Sequence, residues 1–458
     1  MERDSIDFKN TDIAALFRKL LLPTVLGMIF SALFVITDGI FVGKGIGSDA
    51  LAAVNIVAPL WLFSTGVGLM FGVGASVVAS IHLSHGKVKA ARINITQSIA
   101  VSSLLLISTS TLFCSFAPQI VHLLGGSERL TPLAIEYMLW FVPFSVFTAL
   151  LNSGMFFLRL DGSPNFAMMC NVVAAVLNII LDLFCILVLG WGVAGAAIAT
   201  VFSQGLSAVL CYIYMYRKFE ILQGTPKERR FQSKLAKTLL YIGVPMGLQF
   251  SITAIGSIML QSANNALGTA CVAAFTSAMR IKMFFICTFE SLGIAMATYS
   301  GQNYGAGKPE RVWLGIKASA LMMIVYAAFT FVLLMVGAKY FALIFVDPSE
   351  TEILLDTELF LHISCMFFPM LGLLCILRYT IQGVGYTNLA MFSGVAEMIA
   401  RILVSIYAVP AFGFIAVCYG DPMAWIAADL FLVPAFIYVY RRLKKQVFTN
   451  SQVTQTVA

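Results

Sequence analysis

The run LNIILDLFCILVL, residues 177–189, is apolar at every position except Asn178 and Asp182. Those two lie one helical turn apart and so share a helix face. A run this apolar reads as membrane span, and an ionised carboxylate inside hydrocarbon costs several kcal/mol. A second stretch, MIFSALFVITDGIFVG (residues 28–43), raises the same problem, because Asp38 follows a long apolar run. The question is what surrounds these two aspartates.

Composition answers for the class. The chain has 458 residues, 60% hydrophobic and 11% charged, with a mean hydropathy of +0.91. Soluble domains carry about 25% charged residues, so this is a membrane protein. The opening residues mix acids and bases and do not read as a cleavable signal peptide. Nine cysteines are scattered through apolar segments without a C-x-x-C pair. They read as small core hydrophobes, not as metal ligands or disulfides.

Runs of about 20 apolar residues each cross about 30 Å of hydrocarbon. About twelve are present, near 20–43, 52–81, 94–116, 132–157, 166–189, 192–216, 239–263, 271–300, 314–338, 357–380, 389–411 and 415–440. Of the 29 Lys and Arg residues, 22 sort to the N-terminus, the even-numbered connections and the tail; Arg159 and Arg378 are counted among them. By the positive-inside rule both termini and the 217–238 loop are expected in the cytoplasm. The net charge of +7 is thereby explained by topology. It points to anionic lipid rather than nucleic acid.

The two halves echo each other at an offset of about 222 residues. LLLPTVLGM (20–28) parallels YIGVPMGLQ (241–249), which aligns Pro23 with Pro245. GSDALAAVNI (47–56) parallels GTACVAAFTS (268–277), and GSPNFAM (162–168) parallels GYTNLAM (385–391). Six spans return the chain to its starting side. The expected architecture is therefore all-α: twelve transmembrane helices in two six-helix lobes, 1–220 and 221–458, related by a pseudo-two-fold axis along the membrane normal. Transporters of this kind bind substrate between their halves. A duplicated scaffold without transport is the bland alternative.

Several motifs together resemble the multidrug and toxic compound extrusion (MATE) family. ATYSGQNYGAGKPERVWLGI (297–316) is similar to the signature following that family's eighth span. TDGIFVGKGIGSDALAAVNI (37–56), LNIILDLF (177–184) and GVAGAAIATVFSQ (192–204) are similar to its first, fifth and sixth spans. The resemblance runs from about residue 15 to 440. It implies export of small organic, often cationic, drugs against inward Na⁺ or H⁺ flow, in a bacterial plasma (inner) membrane, with no cofactor beyond the coupling ion.

The resemblance also implies that Asp38, Asn178, Asp182 and Thr200 form a cation or proton site in the N-terminal lobe. Their chemistry agrees. Two carboxylates with amide and hydroxyl oxygens offer the hard ligands that Na⁺ prefers, by extension from other hard-cation sites. Without a cation, desolvation and mutual repulsion favour a shared proton in the same place. The competing reading is that each aspartate pairs with a polar neighbour merely to lock helices together. Pro23, inside the first span, is a candidate gating kink.

The second half lacks counterparts: at the repeat offset Asp38 falls near Gln261, and Asp182 on Ser405. Glu397 and Arg401, also one turn apart, read as a structural ion pair, with a cavity role as the alternative. Gly68 and Gly72 have the spacing of a close helix contact. DPSE (347–350) reads as a helix start with Asp347 as cap. His82 and His85 read as surface groups. No H-E-x-x-H, G-x-S-x-G or phosphate-loop motif occurs, so an enzyme is not expected. A lipid-linked oligosaccharide or lipid flippase of the same superfamily is the alternative function. It would want a cationic cavity and could dispense with the aspartate pair.

Overall fold

A computed structural model describes residues 12–84, 86–124, 126–218 and 231–457. Residues 219–230, most of the join read at 217–238, lie outside the described residues, as do His85, Arg3 and Lys9. Everything regular among the described residues is helical. The first half comprises α1 (Ile13–Gly45), α2 (Ser48–Ser84), α3 (Val88–Ser115), α4 (Ala117–Leu123), α5 (Thr131–Phe141), α6 (Ser145–Leu160), α7 (Pro164–Asp182) and α8 (Gly192–Lys218). The second comprises α9 (Ser233–Asn265), α10 (Thr269–Gly305), α11 (Pro309–Ala342), α12 (Thr351–Met366), α13 (Phe368–Gly383), α14 (Thr387–Leu403), α15 (Val409–Phe412) and α16 (Phe414–Val457).

Among the described residues, eleven spans are long and apolar enough to cross a membrane; α12 and α13, bent by 50° at their junction, make a twelfth if taken as one. Their outer faces stay apolar, with Val336 76% and Leu430 74% exposed. Water would not tolerate a surface of that kind, whereas lipid does. The chain is an integral membrane protein.

Residues 22–247 form one compact unit; residues 248–458, with the start of α1 as far as Leu21, form a second. In the first, α2 packs on α3 and α6, and α8 on α6 and α7. In the second, α10 packs on α11 and α13, and α14 on α16. The sequence repeat reappears as backbone geometry. Gly47 and Gly268 take φ +135° and +114° ahead of α2 and α10, and Gly162 and Gly385 take +81° and +93° ahead of α7 and α14. A side chain resists those values and glycine does not, so both halves place glycine at the same corners.

Both halves also widen into a π-helical turn at matching places. Leu183–Val188 follows α7 directly, and Val404–Ala408 follows α14. Such turns are rare and cluster at functional sites. The first begins at the residue after Asp182.

Two readings of the sequence need correction. Arg159 and Arg378 are not in connections; both are buried, on α6 and α13. Arg159 lies past the end read for its span, 157, while α6 runs on to Leu160. Arg378 falls inside the 357–380 span itself and is counted with the connection because a cation so near a helix end ordinarily reaches water. Asp347 does not cap α12, which begins at Thr351. Instead its Oδ1 accepts hydrogen bonds from the Ser349 N–H (2.9 Å) and hydroxyl (2.6 Å). That bond closes a local turn, the alternative use of a short acidic side chain.

Candidate functional site

The site is assembled by α1, α5, α7 and α8 of the first unit. Asn178 and Asp182 project from one face of α7 and are wholly buried. Thr200 on α8 is buried beside them, and Asp38 reaches in from α1, partly exposed. The Thr200 hydroxyl donates to Asp38 Oδ1 at 3.3 Å, and Asn178 Nδ2 lies 3.5 Å from the Thr200 oxygen. The Asp38 and Asp182 carboxylates are within hydrogen-bond reach of each other. All four residues singled out in the sequence therefore converge.

The donors do not match the acceptors. Asp182 Oδ1 and Oδ2 and Asn178 Oδ1 are buried with no hydrogen-bond donor. The nearby Asp38 carboxylate is itself an acceptor unless a proton lies between the two. Buried polar atoms are otherwise almost always paired. These oxygens suit Na⁺ or a proton, either of which would satisfy them.

Asp38 and Thr200 line a cavity of about 150 Å³ with Phe34, Asn55, Trp61 and Tyr137. Tyr137, on α5, lies close enough to both carboxylates to interact with their charge, and stacks on Phe141 at 5.7 Å. Sequence reasoning missed Tyr137, Asn55 and Trp61. Only a phenol or amide in an apolar span could have flagged the first two, and such residues are too common in spans to stand out. Pro23 is buried within α1, and Pro245 within α9.

The second unit has no carboxylate at the corresponding places: Gln261 is exposed, and Ser405 is buried with its hydroxyl donating to the Arg401 carbonyl at 2.7 Å. Glu397 and Arg401 do pair, at 3.4 Å, but as the middle of a longer chain. Arg378 pairs with Glu397 on one side. Arg401 Nε donates to Asp421 at 2.9 Å on the other, and Asp421 in turn holds Lys282. The Lys282 ammonium also faces Phe360 (4.8 Å) and Trp425 (5.8 Å). Asp421 and Arg378 were missed as members. Asp421 lies near a helix start and Arg378 near a helix end, positions where a charge ordinarily reaches water.

The MatE family model matches residues 23–184 and again 245–407. The FAD transporter of Shewanella oneidensis is 25% identical over 379 residues, covering 80% of this chain and 82% of that protein. The multidrug export protein MepA of Staphylococcus aureus is 24% identical over 431 residues, 92% of each chain. The probable multidrug resistance protein YpnP of Bacillus subtilis is 24% identical over 367 residues, 80% of this chain and 81% of that one. Among solved structures, a MATE protein in complex with MaL6 matches with a TM-score of 0.89 at 22% identity, covering 96% of this chain and 98% of that one. An outward-facing multidrug resistance MATE transporter matches at 0.87 and 22%, covering 97% and 99%. At that identity the likeness establishes the fold.

Proposed function

Because the chain belongs to the MatE family of multidrug efflux transporters, and is no enzyme, we propose that it exports organic cations in exchange for Na⁺ or H⁺ bound at Asp38, Asn178, Asp182 and Thr200. The observation that carries this reading is the pair of facing carboxylates with three donorless oxygens around them. Their carriers are separate helices, α1 and α7. An ion between them attracts both, and its departure leaves two like charges in low dielectric. Ion occupancy thus favours one arrangement of α1 over another, as coupling to an ion gradient requires.

A positive charge is favoured at this site, where a carboxylate stands beside the Trp61 and Tyr137 rings and cations are attracted to both. The cavity of about 150 Å³ suits an ion rather than a whole drug molecule. The flavin dinucleotide named for the Shewanella relative is anionic, and a lipid-linked oligosaccharide carries phosphate; either would meet repulsion at Asp38. The bacterial sources of the relatives support a plasma-membrane location.

The test is efflux of a cationic dye from proteoliposomes with Na⁺ and pH gradients imposed separately. Asp38→Asn and Asp182→Asn should each reconstitute normally and each abolish gradient-driven efflux. The double variant should be little worse than either single one, since the two act as a unit. Wild-type efflux in well-folded Asp38→Asn would defeat the reading.

A further inference from the structure

The ion-pair chain of the second unit borders a carboxyl group that it does not include. Asp429, on α16 two helical turns beyond Asp421, is 6% exposed, and both of its oxygens are buried without a hydrogen-bond donor. The groups acting on it are Arg378 from α13 and Glu397 from α14, with the Cys375 thiol of α13 among the same cluster. Glu290, from α10, faces Arg378 as well. From α11 and α12, no charged group among the described residues acts on it; the Glu358 and His362 pair of α12 lie at 3.9 Å from each other.

Burial without a donor favours a proton on Asp429. Lys282, Arg378 and Arg401 are already engaged by Glu397 and Asp421. An ionised Asp429 with no hydrogen-bond donor would be a bare charge in a low-dielectric interior, which is expensive. Yet the cluster can also accommodate the ionised form by exchanging partners. Arg378 bonds Glu397 and Ser393 and is near enough to Asp429 to act on its charge; if it turns to Asp429, Glu397 keeps Arg401, and Asp421 keeps Lys282. Neither protonation state strands Glu397 or Asp421.

We propose that Asp429 is an exchangeable proton-binding site of the second unit, separate from the Asp38 and Asp182 pair, with Arg378 as the side chain that changes partners. When the proton leaves, the Arg378 guanidinium moves from Glu397 to the Asp429 carboxylate; when it returns, the Arg378–Glu397 pair reforms. The proposal does not rest on ion coupling in the first unit.

Infrared difference spectroscopy of the purified full-length protein tests it, reading the C=O stretch of protonated carboxyl groups as pH is stepped through the neutral range. One band should titrate reversibly, vanish in Asp429→Asn, and shift but persist in Asp429→Glu. It should be retained in Asp38→Asn, which separates it from the first unit's site. Arg378→Gln should move its midpoint to higher pH, because the ionised form loses its partner. In proteoliposomes, Asp429→Asn should reduce the dependence of dye efflux on an imposed pH gradient. A band that vanishes in Asp429→Asn but does not respond to pH in the wild type would mean a permanent structural proton and would overturn the proposal. So would a wild-type spectrum with no band assignable to Asp429.

Discussion

Asn178 and Arg401 occupy equivalent places in the two repeats, as do Asp182 and Ser405, if the GSPNFAM and GYTNLAM motifs are aligned. The first unit thus offers a carboxylate and an amide where the second offers a guanidinium already held by Asp421 and Glu397. A fixed internal cation stands where the other half could take a mobile one. Removing it has a direct consequence. Arg401→Leu takes one of two cationic partners from each acid, Glu397 keeping Arg378 and Asp421 keeping Lys282, so it should cost a part of the about 3–5 kcal/mol of a fully broken buried pair. The melting temperature in detergent should fall clearly. Arg401→Leu combined with Glu397→Gln should recover much of the loss, because Lys282 still neutralises Asp421 and Asp429 remains beside Arg378. No recovery would mean that the pair is more than an electrostatic clamp.

The helices themselves are held by contacts that only small residues allow. A Cβ on Gly68 would lie 2.8 Å from the Ala149 Cα of α6, and one on Gly72 would lie 2.7 Å from the Ser153 Cα. The small-residue spacing read in α2 therefore does serve a close helix crossing. Gly66, on the same helix, has nothing within 4 Å of the equivalent position. Gly68→Ala should cost about 1–3 kcal/mol, as overpacking typically does, while Gly66→Ala should be tolerated. Thermal stability of the two variants side by side decides this; equal values would show that α2 and α6 part easily. Pro23 raises a different point on α1. Its missing N–H leaves one turn without a backbone hydrogen bond, upstream of Asp38 on the same helix. Pro23→Ala should slow efflux while leaving dye binding largely intact, measured by transport and by equilibrium titration. Unchanged efflux would remove any gating role and leave a static irregularity, which the matching Pro245 would also suit.

Over the whole chain, the family model's two matches and the paired positive-φ glycines establish the duplication. Charge asymmetry predicts an orientation with both termini in the cytoplasm. Moving Arg159 and Arg378 from the loops into helices removes two of the residues counted on one side, but leaves the bias strong. A cysteine introduced as Lys234→Cys, exposed near the start of α9, should therefore react with a membrane-impermeant maleimide only after the cells are opened. Labelling of intact cells would invert the topology, and with it the direction of coupled export.

Hydropathy alone determined that this chain crosses a membrane about twelve times, because burial in lipid is demanded of each span locally, whatever its neighbours. The repeat was also legible, since Gly47, Gly162, Gly268 and Gly385 mark corners that no other residue adopts comfortably. Asn178 and Asp182 could be paired from sequence because one helix carries both. Asp38 stood out as a carboxylate in an apolar run, but its place in the site, and Thr200 altogether, came from motif resemblance, since nothing local joins a hydroxyl on α8 to a carboxylate on α1. Tyr137, Asp421, Arg378 and Asp429 were settled by the tertiary structure alone. A helix pattern states which residues share a face, but partners across helices depend on the rotation and register at which packed helices meet. Small-residue contacts such as Gly68 against Ala149 set that register, and with it which buried carboxyl groups find a hydrogen-bonded partner and which, like Asp182 and Asp429, do not.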